Sequence, residues 1–140
     1  MHLATLSTAF RRTLTFVLPC LLAVALTADE PAPRAESLDT VKMNLAAKKA
    51  VLLDVRERGE WDEGHLLGAT LLPVTKIREG ADPKATLPDA AKPGMIIYCH
   101  CRAGRRAADA AEILRKKGYD ARPLKEGFED LLKAGFTKAP

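Results

Sequence analysis

The chain has 140 residues, 47% hydrophobic and 29% charged, which is the balance of one globular domain and not of a fibrous, repeat or disordered chain. Of its formal charge of +4, Arg11 and Arg12 belong to an N-terminal segment, and without it 20 basic residues face 18 acidic ones. That near balance argues against nucleic acid or an anionic membrane as the main partner.

Residues 1–28 have the three parts of a secretory signal: Arg11 and Arg12 as a positive end, an apolar stretch from Thr13 to Leu26, and a small-residue exit at Thr27-Ala28. The apolar run is short for a bilayer and Pro19 would kink it, so cleavage near Ala28 is expected, with no stable membrane anchor afterwards. VLPC around Cys20 lacks the small residues of a lipidation site. The expectation is an exported chain, periplasmic or secreted, in a compartment that permits disulfides. Only Cys99 and Cys101 then remain, too few for a disulfide scaffold, so the fold must rest on its core.

Residues 29–36, DEPAPRAE, form a polar Pro-rich linker, and the domain is placed at 37–140. Ser37 is an N-cap candidate for a helix over LDTVKMNLAAKK, with Leu38, Val41 and Leu45 at helical spacing. AVLLDVR reads as a buried strand ending in a carboxylate, ERGEWDEGHLLGA as a short acidic helix closed by Gly64, and ATLLP as a second strand stopped by Pro73. VTKIREG suggests a helical turn and ADPKATLPDAAKPG a polar loop. GMIIYCH is a third strand, and a helix follows Gly104 with Ala107, Ala111 and Leu114 on one face. YDARPL makes a last strand, and EGFEDLLKAGF a last helix with Phe128, Leu131 and Leu132 inward. Strands alternating with helices predict an α/β fold, a mostly parallel sheet covered on both faces.

Ligands of such sheets sit beyond the carboxyl ends of the strands, where loops feed helix N-termini. YCHCRAGRR occupies that position. A helix N-terminus favours a thiolate and cradles anions. Arg102, Arg105 and Arg106 add positive charge there, and Gly104 lets the backbone bend so that its amides converge. Cys99, on the strand before the loop, reads as a small core residue. No metal or cofactor is implied, because Cys99, His100 and Cys101 alternate in direction along an extended chain.

The ordered set LLDVRERGEWDEGHLLGA, YCHCRAGRRAADAAEILRKKGY and an EGF-containing tail resembles the single-domain rhodaneses over nearly all of residues 37–137. The resemblance implies a rhodanese-like three-layer α/β/α fold with a central sheet of about five strands, and a sulfurtransferase activity. It places the catalytic cysteine on Cys101 and the substrate-binding loop on Arg102, Ala103, Gly104, Arg105 and Arg106, with Asp54 and Arg56 in support. The partners it implies are a small anionic sulfur donor such as thiosulfate and an acceptor that is a thiol, cyanide or a protein thiol. Two alternatives stay open: a rhodanese-related phosphatase using the same loop, begun at Cys101 or Cys99, and a non-enzymatic rhodanese-like binding module. Ala107 stands where the first phosphatase pattern needs a phosphate-clamping arginine. His65 is read as packing within its Gly-His turn and Trp61 as core.

Overall fold

In the computed structural model the described residues are 36–87 and 94–140. The expected signal segment, all of the linker except Glu36, and residues 88–93 of the polar loop lie outside them. Four strands form one sheet: β1 (Ala50–Asp54), β2 (Ala69–Leu71), β3 (Ile96–His100) and β4 (Asp120–Pro123). Their spatial order is β2-β1-β3-β4, and every pairing is parallel. These are the four apolar runs that periodicity alone marks as strands. The fifth implied by the family resemblance has no counterpart among the described residues.

Five helices alternate with the strands: α1 (Leu38–Ala46), α2 (Arg58–Glu63), α3 (Val74–Arg78), α4 (Arg105–Lys116) and α5 (Phe128–Lys133). Ser37 caps α1 as its sequence suggests, its side chain accepting from the Thr40 amide at 3.2 Å. Parallel strands need crossovers, and here the crossover helices cover both faces. On one face Val74 and Ile77 of α3 and Ala107, Ala110, Ala111 and Leu114 of α4 pack on Leu53, Ile97 and Cys99. On the other, Val41 of α1 and Phe128 and Leu131 of α5 pack on Leu52, Leu66 and Tyr98. The alternation of side chains along each strand sorts them between these layers.

Glu36, the last linker residue, is not free. Its carboxylate accepts from the Tyr98 hydroxyl and pairs with Arg122 of β4, so the folded unit is pinned one residue before α1's cap. Trp61 departs from expectation: α2 is a six-residue surface helix with no buried residue, too short to carry a ring into the core, and Trp61 is only half-buried. Its ring stacks on His65, centroids 3.7 Å apart, so the Gly-His turn is closed by an aromatic pair on the surface.

Leu114, fully buried between α4 and the sheet, anchors one layer, whereas Met43 is 69% exposed. Leu114→Ala is expected to cost about 2–5 kcal/mol in urea unfolding, and Met43→Ala less than about 0.5 kcal/mol. Similar losses for both would contradict the assigned layers.

Candidate active site

β3 ends at His100, and residues 101–104 carry the chain to the N-cap of α4 at Gly104. The carbonyls along this passage are each held by a different neighbour. Leu124 N–H donates to Cys99 O at 2.8 Å, Val55 N–H to His100 O at 3.0 Å, and Phe128 N–H to Cys101 O at 3.0 Å. The loop is therefore fastened on one side to the segment after β1 and on the other to the start of α5. Cys101 lies at its floor, 1% exposed.

Two glycines make this closeness possible. Gly104 has φ +80°, a left-handed conformation that suits glycine, and a β carbon there would stand 2.6 Å from Lys125 O. At Gly127 a β carbon would stand 1.9 Å from Arg102 O, so only a bare α carbon lets the turn before α5 lie against the loop. The sequence motif shows Gly104 as a loop residue. That Gly127 buttresses Arg102 from the far side is a contact local patterning does not contain.

α4 is twelve residues long and opens with Arg105 and Arg106 and no acidic residue in its first turn. That charge opposes the helix dipole and suits an anion brought to the N-terminal amides. The three arginines are not equivalent. Arg102 and Arg105 are exposed and carry no hydrogen bond or ion pair among the described residues. Arg106 is spent on Glu60 of α2, with Nη1 and Nη2 donating to its two carboxylate oxygens at 2.5 and 2.8 Å. This bidentate bond holds the Glu60 carboxyl down at about 2 despite partial burial. Glu60 also accepts from the Glu57 amide at 3.2 Å, so one carboxylate ties the start of α2 to the start of α4. Glu60 escaped the sequence-based site, since its only signal is membership of an acidic helix.

Below the loop lies a buried polar cluster. Asp54 and Arg56 come together here as a buried ion pair. The carboxylate accepts from the Arg56 amide, from Nε at 3.0 Å and from Nη2 at 2.6 Å, while Nη2 also donates to Gly64 O at 2.9 Å. The guanidinium lies over the Phe128 ring, 4.1 Å from its centroid. His100, Asp54's register partner on β3, sits with Nε2 3.6 Å from Oδ2. Burial pushes His100 down to about 4, outweighing the pull of Asp54, so near neutral pH it is an uncharged ring.

Cys99 and Cys101 are free thiols in the same layer, two residues apart and so pointing to the same face. Burial pushes the Cys99 thiol up to about 12, which makes it an inert core residue. His100 points to the opposite face, so the three residues do not converge.

A β carbon at Gly127 must displace the loop, so Gly127→Ala is expected to cost at least about 1–3 kcal/mol, read by thermal unfolding; an unchanged Tm would contradict the close approach. In acid, two groups drain stability because each binds its proton more readily in the unfolded chain. The His100 contribution is full above 6.5 and is lost as pH falls toward 4; that of Glu60 is full above 4.5 and is lost toward 2. Urea midpoints against pH should show Glu60→Gln flattening only the lower window and His100→Asn only the upper one.

The Rhodanese-like domain family model matches residues 37–134. The chain is 36% identical over 80 residues to a putative mitochondrial thiosulfate sulfurtransferase of Schizosaccharomyces pombe, covering 51% of this chain and 55% of that protein. It is also 36% identical over 83 residues to protein YqhL of Bacillus subtilis, covering 59% and 60%. The matched stretch therefore spans less than two thirds of either relative. Among solved structures, the human single-domain sulfurtransferase TSTD1 superposes with a TM-score of 0.58 at 26% identity, covering 73% of this chain and 97% of that one. Helicobacter pylori protein hp1203 gives 0.54 at 35% identity, covering 65% and 78%. The family model covers well over half of the sequence, and the chain belongs to the rhodanese-like domain family.

Proposed function

We propose that the chain is an exported single-domain sulfurtransferase that carries sulfane sulfur on Cys101. The thiolate of Cys101 attacks the outer sulfur of thiosulfate. A Cys–S bond forms, the donor's S–S bond breaks, and its electron pair leaves with sulfite, giving the persulfide. Loop amides at the head of α4 stabilise the sulfur, while Arg102 and Arg105 attract the dianionic donor. Arg106, fixed on Glu60, holds the helix start in place instead of reaching substrate.

The observation that carries this reading is Cys101 at the floor of a loop fastened on both sides and capped by Gly104 and Gly127, at the N-terminus of a twelve-residue helix. Relatives named as sulfurtransferases support it. The phosphatase alternative is less well supported: Cys99 is buried with a raised pKa, and Ala107 is fully buried where a clamping arginine would be needed. The binding-module alternative does not account for a cysteine kept at the loop floor. Export rests on the signal-like segment 1–28 and the linker after it.

Intact mass after incubation with thiosulfate should show one added sulfur on the wild type and on Cys99→Ser, and none on Cys101→Ser. A sulfur on Cys101→Ser but not on Cys99→Ser would reverse the assignment. The same spectrum of exported protein reports whether the chain begins near Asp29.

A further inference from the structure

Beside the sulfur loop is a cleft of about 230 Å³ whose walls include Arg56, Arg102 and Lys138 together with Glu63, Phe128 and Glu129. We propose that it is the acceptor subsite, and that it takes an amino-acid thiol, a small molecule bearing an ammonium and a carboxylate besides its sulfur. This rests on the sulfurtransferase reading and names the acceptor class.

The cleft's floor is built in advance. The Arg56 side chain is 5% exposed, and Asp54, Gly64 O and Phe128 hold its guanidinium on three sides. Its Nε and Nη2 are committed, whereas Nη1 has no hydrogen bond among the described residues and belongs to a residue that lines the cleft. A donor fixed this way costs little to organise on binding. Lys138 is brought in by the C-terminal segment, which pairs with residues 65–67 through Leu67 N–H to Thr137 O and Ala139 N–H to His65 O, both 2.8 Å.

Both signs of charge are available. Glu60 also lines the cleft but is neutralised by Arg106. The carboxylates of Glu63 and Glu129 and the guanidinium of Arg102 have no partner among the described residues, and Lys138 Nζ makes only a long contact, 3.4 Å, to Glu63 O. Cyanide or a simple dianion would use one sign and leave the other unsatisfied. A zwitterion satisfies both, its carboxylate on Arg56 and Arg102 and its ammonium on Glu63 and Glu129. Arg102 lines the cleft and directly follows Cys101, which is 1% exposed and outside the lining, so a head group held there leaves its thiol to extend past Arg102 to the loop. The persulfide takes up the proton that the acceptor thiol gives up. The acceptor thiolate then bonds to the outer sulfur, the S–S bond to Cys101 breaks, and its electron pair returns to Sγ as the thiolate.

The test compares transfer from persulfide-loaded protein to L-cysteine, to cysteamine, which lacks the carboxylate, and to 3-mercaptopropionate, which lacks the ammonium. Rates are corrected for thiolate fraction and nucleophilicity. L-cysteine should be faster than either by about tenfold or more, and the Glu63→Gln, Glu129→Gln double variant should erase most of its advantage over 3-mercaptopropionate. Equal corrected rates, or an advantage that survives the double variant, overturn the proposal. A binding arm needs no sulfur: by calorimetry, S-methyl-L-cysteine should bind the unloaded protein at least about tenfold tighter than S-methylcysteamine. Equal affinities, or no binding, overturn the subsite even where no persulfide forms. Failure to load sulfur at all counts instead against the sulfurtransferase reading.

Discussion

The contact between Asp54 and Arg56 sits where β1 ends, and several of the elements around the loop after β3 meet at it. Two charges taken this far from water cost several kcal/mol each unless every polar atom finds a partner. The carboxylate is met by the amide, Nε and Nη2 of Arg56, and Nη2 reaches on to Gly64 at the end of α2. The same guanidinium plane rests on Phe128 at the start of α5, and His100 of β3 faces the carboxylate from the next strand. Four elements thus meet at one ion pair, beside the last rung between β1 and β3. Removing either partner would strand the other's buried charge and loosen the junction of these elements on the face of the sheet opposite the Cys101 side chain.

Two cysteines with one residue between them take different places in this arrangement. Both project into the layer covered by α3 and α4, but Cys99 is inside the sheet, paired in register between Leu53 and Pro123. Cys101 is past the last rung, where the strand's hydrogen bonds give way to loop amides and a helix N-terminus. Position along the strand separates them: Cys99 is a rung of the sheet, and Cys101 begins the loop. A similar division runs through the arginines: Arg102 and Arg105 have no partner among the described residues, while Arg106 gives up its donors to fix α2 against α4.

The four strands, the five helices and the position of the loop after β3 were legible in the sequence because each is written in local terms: an apolar run, a capping serine, a glycine before an alanine-rich face. The Asp54–Arg56 pair was foreseeable on the same ground, lying two residues apart. What was not legible joins distant parts of the chain. Arg106 and Glu60 are 46 residues apart, and nothing in either segment names the other. The approach of Gly127 to Arg102 and the return of Lys138 to the end of α2 are likewise visible only once the sheet has brought the strand ends together. Trp61 misled because its size suggests a core residue, whereas a six-residue helix at the rim could offer it only His65 to stack on.

The most direct measurement of a sulfur atom carried by Cys101 within the loop is a crystal structure of the protein after exposure to thiosulfate. It should show one additional sulfur bonded to Cys101 Sγ and surrounded by the amides leading into α4, with Cys99 unmodified. A sulfur on Cys99, or an unmodified Cys101 in protein whose mass shows that sulfur has been taken up, would contradict it.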